Sequence, residues 1–116
     1  MAVGVVTRNS APDPRGMDAW GHYAVCPFKY IGPTVYAAGG DAQAAQVFKL
    51  GVVEYVEDFL GIPAAGTTAV IYHYNPTTNK MQAFQSTTGA PSALVEVADA
   101  TDLSTFIGNS RAYGKG

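Results

Sequence analysis

Few residues in this chain are of a type that does acid–base, nucleophilic or metal chemistry. His22 and His73 are the only histidines, and neither stands near a second ligand type at the spacing a metal site uses. Glu57 and Asp58 are adjacent. In an extended strand, neighbouring side chains leave on opposite faces, so these two carboxylates are not expected to work as an acid–base pair. Ser104 or Ser110 as a nucleophile would need a base and an orienting acid, and no G-x-S-x-G signature surrounds either. Gly39-Gly40 and Gly61-Ile62-Pro63 lack the spacing of a phosphate-cradling loop. Cys26 is the single cysteine. It cannot close an intrachain disulfide and reads as a small core hydrophobe. The expectation is a protein that is not an enzyme and holds no cofactor and no metal.

Binding chemistry is better represented. Tyr23, Tyr30, Tyr36, Tyr55, Tyr72, Tyr74 and Tyr113 join Trp20 in a set of ring-and-polar-tip side chains, the kind enriched at protein interfaces. For any single tyrosine, cross-strand packing on a sheet surface is the competing explanation. Residues expected to meet a partner or a second subunit are Val3, Val5, Val6, Trp20, Tyr23, Tyr72 and Tyr74.

Composition narrows the setting. With 116 residues the chain suits one domain with one core. Charged residues make up only 14%, well under the usual quarter, as in subunits packed against neighbours. A formal net charge of -2 without a Lys/Arg cluster offers no electrostatic footprint for nucleic acid. No run approaches the ~18 apolar residues of a membrane span, and Met1 to Val6 lacks the basic start and the length of a signal peptide. A protein made in a cytoplasm, without membrane or small-molecule partners, is expected.

The elements that must position these residues are strands. Val70 to Gln85 reads as a β-hairpin: a β-branched and aromatic first arm, a turn at Asn75-Pro76-Thr77-Thr78-Asn79, and an alternating second arm. Its first arm carries Val70, Tyr72 and Tyr74 on one face and Ala69, Ile71 and His73 on the other, and Ile71 is placed on the core side. Residues 22 to 26 and 28 to 31 read as two strand pieces bent at Pro27, which cannot donate to a ladder and so belongs at an edge or a bulge. Ala42 to Leu50 is the one helical segment, with Asp41 as N-cap and Gly51 at its end. Val52 to Phe59, Ala93 to Ala98 and Thr105 to Tyr113 are further strands, with Asp102 capping a turn before the last. Pro12, Pro14 and Gly16 deny regular pairing to residues 1 to 21, which are expected to form an extended arm, with a frayed terminus as the alternative. Turn signals at spacings near 8 to 12 residues predict an all-β fold, a two-sheet antiparallel β-sandwich, jelly-roll-like, over residues 22 to 116.

Several of these segments together resemble a family. They are Thr34 to Asp41 (TVYAAGGD), Leu50 to Val56 (LGVVEYV), the hairpin from Ala69 to Phe84, and Leu94 to Ser104, which ends in TDLS. The chain resembles the small virion proteins that tailed bacteriophages encode beside the major capsid protein, over roughly residues 34 to 113; residues 1 to 21 have no counterpart in it. The resemblance implies a capsid decoration, or cement, protein. Such a protein is a β-sandwich subunit, often a homotrimer, that sits on the virion surface and bridges neighbouring subunits of the major capsid protein. It supplies no catalytic or ligand residue. A head–tail or tail component is the alternative within the virion. A carbohydrate-binding module using Trp20 and surface tyrosines is the alternative from another class.

Overall fold

Alternation of period two puts every second side chain of a strand on one face, and burial follows that alternation through most of this molecule. The computed structural model describes residues 3–8, 23–48, 50–63, 68–86 and 94–115. Its strands are β1 (Val5–Arg8), β2 (Tyr23–Ile31), β3 (Asp41–Ala42), β4 (Val52–Val56), β5 (Phe59–Gly61), β6 (Val70–Asn75), β7 (Lys80–Ser86), β8 (Leu94–Glu96) and β9 (Ile107–Lys115), with a 3-10 turn at Ala45–Phe48. They form two antiparallel sheets, one in the order β1-β2-β9-β4 and one in the order β3-β7-β6-β5, with β8 also on β7. The expected all-β, two-sheet sandwich is what the chain builds.

The core lies between the sheets. Ala24, Cys26, Phe28 and Tyr30 face inward from β2, and Val70, Tyr72 and Tyr74 face them from β6. Their rings meet edge to face, the arrangement that the aromatic quadrupole favours: Tyr30 and Tyr72 at 4.8 Å between centroids, Phe28 and Phe59 at 5.7 Å, Phe28 and Phe48 at 5.0 Å. The hairpin stands where the sequence puts it, closed by Asn79 N–H donating to the Asn75 carbonyl at 2.8 Å. Asn79 takes the left-handed conformation, φ 56°, that asparagine tolerates better than most residues. Its faces are reversed from expectation, because Ile71 is only half-buried and the tyrosine face is the core face.

Three further expectations are corrected. Asp41 is no helix cap: Asp41–Ala42 pairs with Met81 and Lys80 as β3, and the helix shrinks to the 3-10 turn, which inserts Phe48 between the sheets. Val52 to Phe59 is not one strand. It splits at Glu57-Asp58, where the chain leaves β9 in one sheet and joins β6 in the other. The two pieces around Pro27 are one strand, with Pro27 opposite Arg111 of β9 and one residue beyond the end of the β1 pairing, where its missing donor costs no ladder bond to β1.

The expected arm also differs. Val5–Arg8 pairs with Phe28–Ile31 as an edge strand, so this segment belongs to the sandwich. Gly4 N–H donates to Asp41 Oδ2 at 3.0 Å, and a Cβ at Gly4 would meet Tyr30 Oη at 2.6 Å, so only glycine allows that approach. Residues 9 to 22, with Pro12, Pro14, Gly16 and Trp20, lie outside the described residues.

Candidate functional site

The tyrosine set divides sharply by position. Tyr30, Tyr36, Tyr72 and Tyr74 are each 0 or 1% exposed, and each hydroxyl has a partner. Tyr30 donates to Asp41 Oδ2, Tyr36 to Glu96 Oε2 at 2.6 Å, Tyr72 to the Phe106 carbonyl at 2.8 Å, and Tyr74 to the Gln43 carbonyl at 2.6 Å. Burial pushes all four phenols up from their ordinary value; next to Tyr30 the Asp41 charge adds to it, next to Tyr36 the hydrogen bond to Glu96 does, and Tyr74 reaches about 12. Tyr72 and Tyr74, expected at an interface, are therefore core residues and cannot touch a partner.

Of the other expected interface residues, Val5 is 52% exposed and Val3 is exposed beside it, while Val6 packs against the core. Trp20 lies outside the described residues, as does the side chain of Tyr23, whose backbone opens β2. Strand register shows what surrounds Val5. It stands opposite Ile31, Ile31 stands opposite Ile107, and Ile107 bridges to Ile62. Directly paired residues share a face with Cβ atoms roughly 4.5–5.5 Å apart, so these four side chains make one outward apolar row across β1, β2, β9 and the end of β5. Val5, Ile62 and Ile107 are exposed and Ile31 is half-buried. The next pairs along, Thr7 with Lys29 and Lys29 with Asn109, give the row a polar flank.

A second surface feature lies where β4 parts from β9. Val53 pairs with Gly114 and Tyr55 with Tyr113, so Glu54 is an extra residue, a bulge that turns Tyr55 outward. The Tyr55 and Tyr113 rings lie side by side, centroids 5.8 Å apart and planes at 34°, with Tyr55 56% exposed. Tyr113 Oη donates to Glu57 Oε2 at 3.1 Å, and the Glu57 N–H donates to the Arg111 carbonyl at 3.3 Å, which makes Glu57 and Arg111 neighbours across the strands. A cleft of about 400 Å³ is lined by Pro27, Glu57, Asn109, Ser110 and Arg111, and Glu57, the acceptor of the Tyr113 hydroxyl, links it to the rings. This aromatic ledge was hidden in the sequence, because strict alternation from the buried Val53 would put Tyr55 inside.

The acid–base candidates are placed as follows. His73 Nδ1 sits 2.8 Å from Asp58 Oδ1, a cross-strand pair that the sequence did not suggest, with both side chains exposed. Ser110 Oγ donates to the Glu57 carbonyl at 2.6 Å, and the Ser104 N–H caps onto Asp102 Oδ1 at 2.9 Å. Both serines thus serve turns and crossovers, and neither is joined to His73. Cys26 is buried. Among the described residues no group of three or more His, Cys, Asp or Glu is placed to hold a metal ion. Compared with family models, curated proteins and solved structures, the chain matches none.

Proposed function

We propose that this chain is a structural virion protein, a capsid decoration subunit that binds the outside of a phage head and bridges subunits of the major capsid protein. The observation that supports this reading is the apolar row Val5–Ile31–Ile107–Ile62. Four β-branched side chains held in register on rigid strands lose little entropy on contact, and burying one such side chain fully is worth about 1.5–3 kcal/mol. An apolar centre with a polar flank is the anatomy of an interface core and rim. The low charge content serves the same end, since neighbouring copies on a shell must sit close together. Contacts of this size are individually weak, and repetition over a shell multiplies them.

The test is co-sedimentation of the purified protein with heads of the phage that encodes it, using the intact chain and an Ile62→Lys/Ile107→Lys variant. Both substituted residues are exposed, so the variant should fold and melt as the parent does. The parent should saturate the heads and raise the temperature at which they open, and the variant should lose most of its occupancy. A parent that leaves the heads bare sinks the reading, and a variant that decorates equally well removes the row from it.

A further inference from the structure

The tyrosine ledge on β4 and β9 is not used by the apolar row and has a chemistry of its own. Tyr55 turns one ring outward at a sheet edge, supported from beside by Tyr113. A plain cross-strand pair would be explained by packing alone. Here the pair is joined through Glu57 to an open cleft whose polar groups differ in kind: Glu57 accepts hydrogen bonds, Arg111 donates them in a fork, and the Asn109 amide does both. Glu57 and Arg111 are cross-strand neighbours, the Glu57 N–H donating to the Arg111 carbonyl at 3.3 Å, so the cleft carries one charge of each sign and no net charge to favour a phosphate or sulfate.

We propose that this ledge is a binding site for a neutral oligosaccharide, with one pyranose ring lying on the outer face of Tyr55 and its hydroxyls reaching Glu57, Arg111 and Asn109. A pyranose has an apolar C–H face that suits an exposed aromatic ring, and a rim of adjacent hydroxyls that each donate and accept. Tyrosine supplies such contact area with few rotatable bonds to freeze, and Tyr113 and Glu57 hold the ledge in place through their 3.1 Å hydrogen bond. The site does not depend on the assembly reading: it uses none of Val5, Ile31, Ile107 and Ile62, and shares only Asn109 with the polar flank of that row.

The experiment is a set of amide-resolved NMR titrations of the full chain with maltohexaose, cellohexaose, chitohexaose and xylohexaose, each taken to about 10 mM, beyond the millimolar range typical of a single weak contact. At least one should give saturable shifts centred on Tyr55, Glu57 and residues 109–113. Tyr55→Ala should weaken that binding about tenfold, Tyr55→Phe should keep most of it, and Arg111→Met should weaken it without changing the melting temperature. The proposal is overturned if none of the four sugars shifts the spectrum, if the shifts centre elsewhere, or if Tyr55→Ala binds like the parent. A response confined to a sulfated heparin oligosaccharide and abolished by salt would overturn the neutral-sugar assignment as well.

Discussion

Asp41 is the residue on which most of the buried polar structure converges. One oxygen, Oδ2, receives the Gly4 N–H, the Tyr30 hydroxyl and the Gln43 side-chain amide, and Gln43 Nε2 also donates to the Gly4 carbonyl at 2.8 Å. Three segments are joined by that carboxylate: the approach to β1, β2, and β3 with the residues that lead from it into the 3-10 turn. Asp41→Ala strands three buried donors, each costing about 1–3 kcal/mol when left unpaired, and is expected to remove most of the stability in urea unfolding; Asp41→Asn, which keeps an acceptor oxygen, should cost less. The buried tyrosines set the alkaline limit. Their folded pKa values lie above the ordinary value near 10, so between pH 10 and about 12 the native state keeps protons that the unfolded chain gives up. Stability is therefore full below pH 10 and falls as pH rises past it, by up to about 5 kcal/mol per pH unit for four phenols at about 1.36 kcal/mol each. Phenolate absorbance at 295 nm should rise in step with loss of the circular dichroism signal. A smooth titration of all seven tyrosines in the folded protein would contradict this.

At the scale of elements, β1 and the β6–β7 hairpin carry the tests. Since β1 is paired along its length and its approach is tied to Asp41, deleting residues 1–8 should expose the edge of β2, remove one donor from Asp41 and the Gly4 acceptor from Gln43, and lower the melting temperature sharply or prevent folding. Unchanged melting would mean that β1 is dispensable to the sandwich. In β6 the burial pattern places Tyr72 inside and Ile71 at the half-covered outer face. Tyr72→Ala should cost about 3–5 kcal/mol through the cavity it leaves, whereas Ile71→Asp should cost far less; equal losses in denaturant unfolding would show both faces buried. β7 shares one edge between β3 and β8, and between them the Tyr36 hydroxyl accepts the Ala83 N–H at 3.0 Å, so a side chain fills a ladder position that no strand supplies.

For the whole molecule, the decisive question is whether it stays alone. The outward row of Val5, Ile31, Ile107 and Ile62 sits on a surface with few charges to discourage contact, and a homotrimer is the state the decoration reading proposes. At ~100 µM a self-interface of about 5.5 kcal/mol is half populated. Sedimentation equilibrium should show association at that concentration and a monomer for Ile62→Lys/Ile107→Lys. A strictly monomeric parent would argue that the row meets the shell and not a second copy.

Local chemistry was enough to establish the β class, the hairpin, and the turn from Asn75 to Asn79, because β-branched runs and Asn-Pro-Thr clusters act on the backbone within a few residues. It was also enough to establish that charge is scarce. Alternation could separate Tyr72 from Ile71 but could not say which of them is inside, since period two is symmetric about the strand. That choice came from partners far along the chain: Tyr30 with Asp41, Tyr36 with Glu96, Tyr72 with Phe106. A hydroxyl that finds an acceptor can be buried, and only the folded arrangement supplies the acceptor. The same holds for the bulge at Glu54, which breaks the alternation to bring Tyr55 out beside Tyr113, and for Val5–Arg8, whose place as a strand depends on the free edge that β2 offers it. Tertiary pairing settled both, because neither a bulge nor an edge exists until two strands meet.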